Sequence, residues 1–239
     1  MPGVSMRAGE VGRVVALWRY PVKSMAGQAL DAADVGWHGI AGDRRWAFVQ
    51  ERLVRSDFPW LTMRERSDLG RYRPALADES RPDRSETVVR TPSGEELDIA
   101  DPALAAELGD GIRLMKVNRG TFDIAPLSLI SVQTIEALGG MAGIAVDQRR
   151  FRPNLVVDAA SPFAEDDWVG ATLRLGDARM RVDQRDERWV MVNIDPDTSV
   201  RDPRVLRTIA QQRGACLGVY GAPVEPGRVA VGDPVVLER

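Results

Sequence analysis

The chain has 239 residues, 44% of them apolar, with 32 basic residues against 35 acidic ones and a net charge of −3. The length suits one large domain or two small ones, and the composition is that of an ordinary soluble globular protein. There is no basic excess to neutralise a phosphate backbone, so nothing points to nucleic acid, and no run nears the roughly 18 apolar residues of a membrane-spanning helix.

Cys216 is the single cysteine, so neither an internal disulfide nor an all-protein zinc or iron–sulfur site can form. A lone thiol fits a reducing compartment. Met1–Glu10 lacks the apolar stretch of a signal peptide, and a cytoplasmic location is expected.

In chain order, Val11–Arg19 reads as a strand ended by Tyr20-Pro21, and Arg45–Gln50 as another. Residues 64–86, rich in charge, Pro and Ser, read as a loop. The runs 86–90 and 96–99 flank Thr91-Pro92-Ser93-Gly94 as a hairpin, and 172–175 and 178–183 flank Gly176-Asp177 as a second. Further strands are expected at 113–117, 190–194, 217–220, 228–231 and 235–237. Three helices follow cap signals. Asp101-Pro102 opens one that ends at Gly109, Ser131 opens one stopped by Gly139-Gly140, and Asp202-Pro203 opens one closed by Gly214. Many short strands with few helices predict a mainly β fold of barrel type. Asn118-Arg119-Gly120 is the expected division, giving domains 1–119 and 120–239.

Several segments could carry chemistry. Lys23 and Ser24 follow a strand end and could hold an anion, as an ammonium and a hydroxyl, or could simply be a solvated turn. Lys23 and Lys116 are the only lysines among the 32 bases. Asp43-Arg44-Arg45 enters a strand, where neighbours face opposite sides, so only one guanidinium can point into a given cleft. In Phe151-Arg152-Pro153-Asn154 the proline favours an extended entry, and Arg152 with Asn154 could bind a phosphate or a flat heterocycle. Asp195-Pro196-Asp197-Thr198 reads foremost as a turn. His38 is the only histidine, which argues against a catalytic triad, a histidine-ligated zinc or a haem.

Five of these segments occur in a familiar order: Tyr20 to Ser24, Gly42 to Trp46, Phe151 to Asn154, Ile194 to Thr198, and Val231 to Val235. Together they resemble the MOSC family, over about residues 11–237, and most closely its amidoxime-reducing members. The resemblance implies an N-terminal β-barrel-like domain followed by a MOSC β-barrel with a few short helices. It also implies a molybdenum–pterin cofactor (Mo-pterin) bound between them, and reduction of N-hydroxylated compounds with electrons from an external donor protein. Lys23, Ser24, Arg44, Arg152 and Asn154 would bind the cofactor, and Asp195, whose loop lies beside the metal, is the candidate catalytic residue. The family's molybdenum ligand is a cysteine a few residues before the Asp-Pro pair; here that position is Trp189, which offers the metal no useful donor. No residue is therefore assigned to the metal. The open alternatives are a non-catalytic cofactor carrier or sensor, and a cofactor-free β-barrel binding module.

Overall fold

A computed structural model describes residues 9–238. The first half contributes strands β1 (Glu10–Arg19), β2 (Gln28–Leu30), β3 (Ala32–Gly36), β4 (Gly39–Ile40) and β5 (Trp46–Gln50). It continues with β6 (Arg73–Leu76), β7 (Thr87–Arg90), β8 (Glu96–Asp98), helix α1 (Pro102–Leu108) and β9 (Ile112–Lys116). The second half holds β10 (Leu127–Ser131), α2 (Val132–Ala142), β11 (Leu155–Ala159), β12 (Thr172–Leu175) and β13 (Ala178–Glu187). Helix α3 (Arg204–Arg213), β14 (Cys216–Glu225), β15 (Gly227–Ala230) and β16 (Pro234–Glu238) complete it. The fold is mainly β, as the strand-rich pattern predicts.

Six strands of the second half run in the order β11-β10-β14-β13-β12-β16, and β1 joins the two ends by pairing with both β16 and β11. The result is a closed barrel of seven strands, with β2 appended to the end of β1. An open six-stranded sheet would leave two unpaired edges, and β1 satisfies both. The division at residues 119 and 120 therefore does not separate the strands: β1, the first described strand, is a stave of the barrel built from the second half. Val14 and Leu17 of β1 share one core with Leu129, Val157, Leu173, Met180 and Val219. Close approach explains Gly221 on β14, where a Cβ would lie 2.0 Å from the carbonyl oxygen of Arg181 on β13.

The remaining strands form small sheets, β15-β3-β4, β5-β9 and β6-β7-β8. A second core gathers Phe48, Leu61, Tyr72, Val89 and Leu104 of the first half with Ile194 of the second. The segment 190–194 is not a strand. Val190–Asn193 is one turn of 3-10 helix, because Asn193 is drawn under α3, where its Oδ1 accepts the Leu206 amide at 2.8 Å. Helix α2 also runs through Gly139-Gly140 and stops at Gly143, which takes the left-handed conformation (φ 65°). Among the described residues no helix is long and apolar enough to cross a membrane.

Candidate functional site

The turns that follow β1 and precede β5 and β11 bring distant residues to one cavity of about 310 Å³ between the barrel and the first-half sheets. Lys23, Arg44, Arg152 and Asn154 all line it. Ser24, Arg44 and Arg152 have φ of 65°, 50° and 51°, half of the six non-glycine residues with positive φ among those described. Each such residue costs of order 1–3 kcal/mol, and such strain collects where surrounding structure must aim a side chain. Arg44 does not belong to a strand: it sits in the turn before β5, and its amide donates to the Tyr20 carbonyl at 2.6 Å. Arg45 points away, to Asp83 at 2.8 Å.

Asp43, fully buried, organises this seam. It accepts the Tyr20 amide at 2.6 Å, the Asn154 side-chain amide at 3.2 Å, and the Arg44 guanidinium. Asn154 also donates to the Trp18 carbonyl, and its Oδ1 accepts from the Ser128 amide at 3.2 Å and from Arg44 at 3.4 Å. Its hydrogen-bonding capacity goes to the protein, so it fixes Arg44 more than it offers itself to a ligand. Arg44 and Arg152 lie on the Tyr20 ring, at 4.7 and 4.3 Å from its centroid.

The cations of this cavity are incompletely compensated. Burial pushes the Arg152 guanidinium down to about 10; Tyr20 opposes the shift and Arg44 adds to it. The Arg152 Nη1 donates to the Met25 carbonyl at 2.5 Å, whereas its Nη2 is buried without a hydrogen-bond partner. Burial likewise lowers Lys23, which Asp123 partly restores. The Lys23 ammonium donates to the Thr121 carbonyl at 3.0 Å and to Asp123. Arg152, at about 10, is a cation at neutral pH, and Lys23 is set in an ion pair, so an anionic ligand is what this lining favours.

Ser24 is buried but stands outside the cavity lining, as does Asp195. The Asp195 carboxylate closes its own turn, accepting the Thr198 amide and hydroxyl at 2.9 Å, and it holds Arg150 at 2.8 Å. Burial works against its ionisation, but the Thr198 and Asp197 donors and Arg150 outweigh that and keep its carboxyl below the usual range. It is an ionised group that positions Arg150, and Arg150 does line the cavity. Trp189 lies at the cavity, 53% exposed, with the Arg64 guanidinium 5.3 Å from its ring centroid. Met191 lines the same wall. Cys216 is paired in register with Glu187 at the start of β14, close to Trp189 in the chain path, yet it is not among the lining residues.

Sequence reasoning missed Arg64, Arg150, Asp186 and Arg188, all of which line the cavity. Arg188 and Asp186 form a buried pair at 2.7 Å. Burial pushes the Asp186 carboxyl up to about 7, against the lowering effect of Arg188 and Tyr220. A signal existed for Arg150 and Arg188, since each adjoins a motif residue. None existed for Arg64, which arrives from a loop.

A cationic cavity beside a closed barrel, with strained turns carrying its arginines, is the arrangement to set beside known proteins. The MOSC N-terminal beta barrel domain profile matches residues 11–113 and the MOSC domain profile matches residues 118–236. The chain belongs to the MOSC family. Mitochondrial amidoxime reducing component 2 of Bos taurus is 24% identical, over 98% of this chain and 85% of that protein. Mitochondrial amidoxime-reducing component 1 of Xenopus laevis is 32% identical over 47% of this chain and 36% of its own length. The Molybdenum cofactor sulfurase of Drosophila grimshawi is 27% identical over 92% of this chain, which corresponds to only 34% of that protein. Among solved structures, the YUAD protein from Bacillus subtilis superposes with a TM-score of 0.53 at 13% identity, over 95% of both chains.

Proposed function

We propose that this chain binds the molybdenum–pterin cofactor by its phosphate and pterin portions in the cavity of Lys23, Arg44 and Arg152, as a holder of the cofactor and not as a self-sufficient reductase. The observation that carries the reading is the convergence of those three cations on one cavity, with burial lowering two of them. Such a lining fits the anionic, acceptor-rich organic part of the cofactor. It does not fit the metal. No cysteine lines the cavity, Trp189 lines it at the position the family resemblance gives to the ligand, and among the described residues no group of three or more His, Cys, Asp or Glu side chains could hold a metal ion. Relatives named for amidoxime reduction and for molybdenum cofactor sulfuration support the reading that this cavity takes the cofactor.

The test is co-purification from a host that makes the cofactor. Pterin, read as its fluorescent oxidised derivative, is expected with wild-type protein, at low molybdenum content. Lys23→Gln removes the charge and keeps most of the side chain, and it should lower pterin content about tenfold, as loss of one charge-assisted contact of about 1.4 kcal/mol or more implies. Trp189→Cys should raise molybdenum per pterin. Absence of pterin from wild-type protein defeats the binding claim. Turnover of a hydroxylamine with an artificial electron donor by wild-type protein, lost in Lys23→Gln, defeats the holder claim and restores the reductase reading.

A further inference from the structure

A second cavity, of about 490 Å³, lies on the other side of Arg150, Arg152 and Met191, which line both cavities and form the wall between them. Lys23, Arg44 and Asn154 line only the first; Trp18, Arg73 and Arg90 line only the second. Its volume is in the range that takes a small-molecule ligand.

Two independent features say what it would hold. The first is a set of hydrogen-bond donors left unanswered. Trp18 Nε1 is buried without a partner, and Trp18 lines this cavity and not the first; Arg150 Nε and Arg152 Nη2 are likewise unpartnered, on the two arginines of the shared wall. An indole N–H and a guanidinium can only donate, so the missing group is an acceptor. The second feature is at the outer end. Arg73 of β6 and Arg90 of β7 are directly opposed in the antiparallel register. Like charges in that position repel and weaken the pair. Asp197 lies 3.8 Å from Arg73 and is already held by Arg149 at 2.6 Å, and Glu96 of β8, which also lines the cavity, stands opposite Arg90 in the register, so two carboxylates share the relief of three guanidinium groups. Two guanidinium groups side by side form a natural clamp for a phosphate or carboxylate. Between the two ends, Trp18, Met63 and Ile194 supply apolar walls.

We propose that this second cavity is a binding site for an aromatic phosphate, with the phosphate held by Arg73 and Arg90 and the ring lying along Trp18, where an acceptor meets the indole N–H. The site is separate from the one assigned to the cofactor and does not depend on that assignment. The order of the parts follows from the lining: the exposed arginines meet the doubly charged group, which keeps some of its hydration, and the buried donors meet the less demanding acceptor.

The experiment is a titration of the full chain, labelled at the tryptophan indole nitrogen, with 4-carbamoylphenyl phosphate, whose amide carbonyl supplies the acceptor at the far end of the ring, and with inorganic phosphate and 4-hydroxybenzamide, followed by NMR. The Trp18 indole signal is identified by its loss in Trp18→Phe. The aromatic phosphate should shift it saturably, whereas inorganic phosphate and 4-hydroxybenzamide should each bind about tenfold or more weakly, because each lacks one half of the contacts. Arg90→Ala, an exposed substitution, should weaken the aromatic phosphate by a similar factor and leave pterin content unchanged. Lys23→Gln should leave aromatic phosphate binding unchanged even though it weakens the first cavity. A Trp18 signal indifferent to the aromatic phosphate overturns the proposal. So does binding that survives Arg90→Ala, or binding that disappears with Lys23→Gln, which would place the ligand in the first cavity.

Discussion

Lys23 and Arg44 look alike as cavity cations, but their partners differ, and so do the expected effects of removing them. Asp123, which pairs with Lys23, has a side chain 34% exposed and can be rehydrated. Asp43, which pairs with Arg44, has none of its side chain exposed. A charge at the rim of a cleft contributes little to stability, and the structure limits that rule to Lys23. Arg44→Ala strands a buried carboxylate, a change that costs roughly 3–5 kcal/mol, although the Tyr20 and Asn154 donors should keep it near the lower end. Urea denaturation of Arg44→Ala beside Lys23→Gln checks the contrast, and equal midpoints would contradict it. Asp186 offers a prediction in pH. Its folded pKa, near 7, lies above its ordinary 3.8, so between those values the folded state binds more protons than the unfolded. Stability from this group is full below about pH 4 and declines as pH rises towards 7. Asp186→Asn has no such proton to lose, so the decline of the unfolding midpoint over that window should flatten. A wild-type profile already flat from pH 4 to 7 would show that Arg188 keeps Asp186 ionised.

Among the elements, caps and hairpins were legible because their signals are local. Asp101 accepts the Ala103 amide at 2.8 Å at the head of α1, and Ser131 accepts the Thr134 amide at 3.1 Å at the head of α2. What Ser131 does beyond its helix was not legible. Its amide and hydroxyl both donate to Glu165, a fully buried carboxyl group 34 residues away. Ser131→Ala therefore removes a cap and also strips an acceptor of its donor. Together these are expected to cost about 2–4 kcal/mol, readable by denaturant titration. A loss under about 1 kcal/mol would mean that the Ser131 amide alone suffices for Glu165. The stretch Val190–Asn193 was misread for a related reason. Its apolar alternation mimics a strand, but Val192 and Met191 pack to different cores, and the turn needed for that is dictated by α3 and by Arg150, which donates to the Asn193 carbonyl at 3.0 Å. Lys23, Arg44, Arg152 and Asn154 could be picked out as motif residues. That Asn154 spends its side chain on Asp43 and Trp18, and that Arg64 reaches Trp189, are products of tertiary placement that no local pattern encodes.

At the scale of the whole molecule, β1 makes the two halves interdependent. Residues 120–239 expressed alone lack the strand that contributes Val14 and Leu17 to the barrel core and covers the edges of β11 and β16. That fragment is expected to show a collapsed, poorly dispersed proton NMR spectrum, and addition of a peptide spanning residues 9–30 should recover dispersed signals. A fragment that is well folded without the peptide would mean that β11 and β16 can close on each other. The same closure has a consequence in time. Glu10 pairs with Val236 and Gly12 with Val235, so β1 leaves the ribosome more than 200 residues before the strand it waits for. The barrel cannot close until residues 234–238 emerge: up to that point β1 and β12 each lack their β16 partner, and the growing chain carries exposed strand edges throughout the synthesis of the residues between β1 and β16.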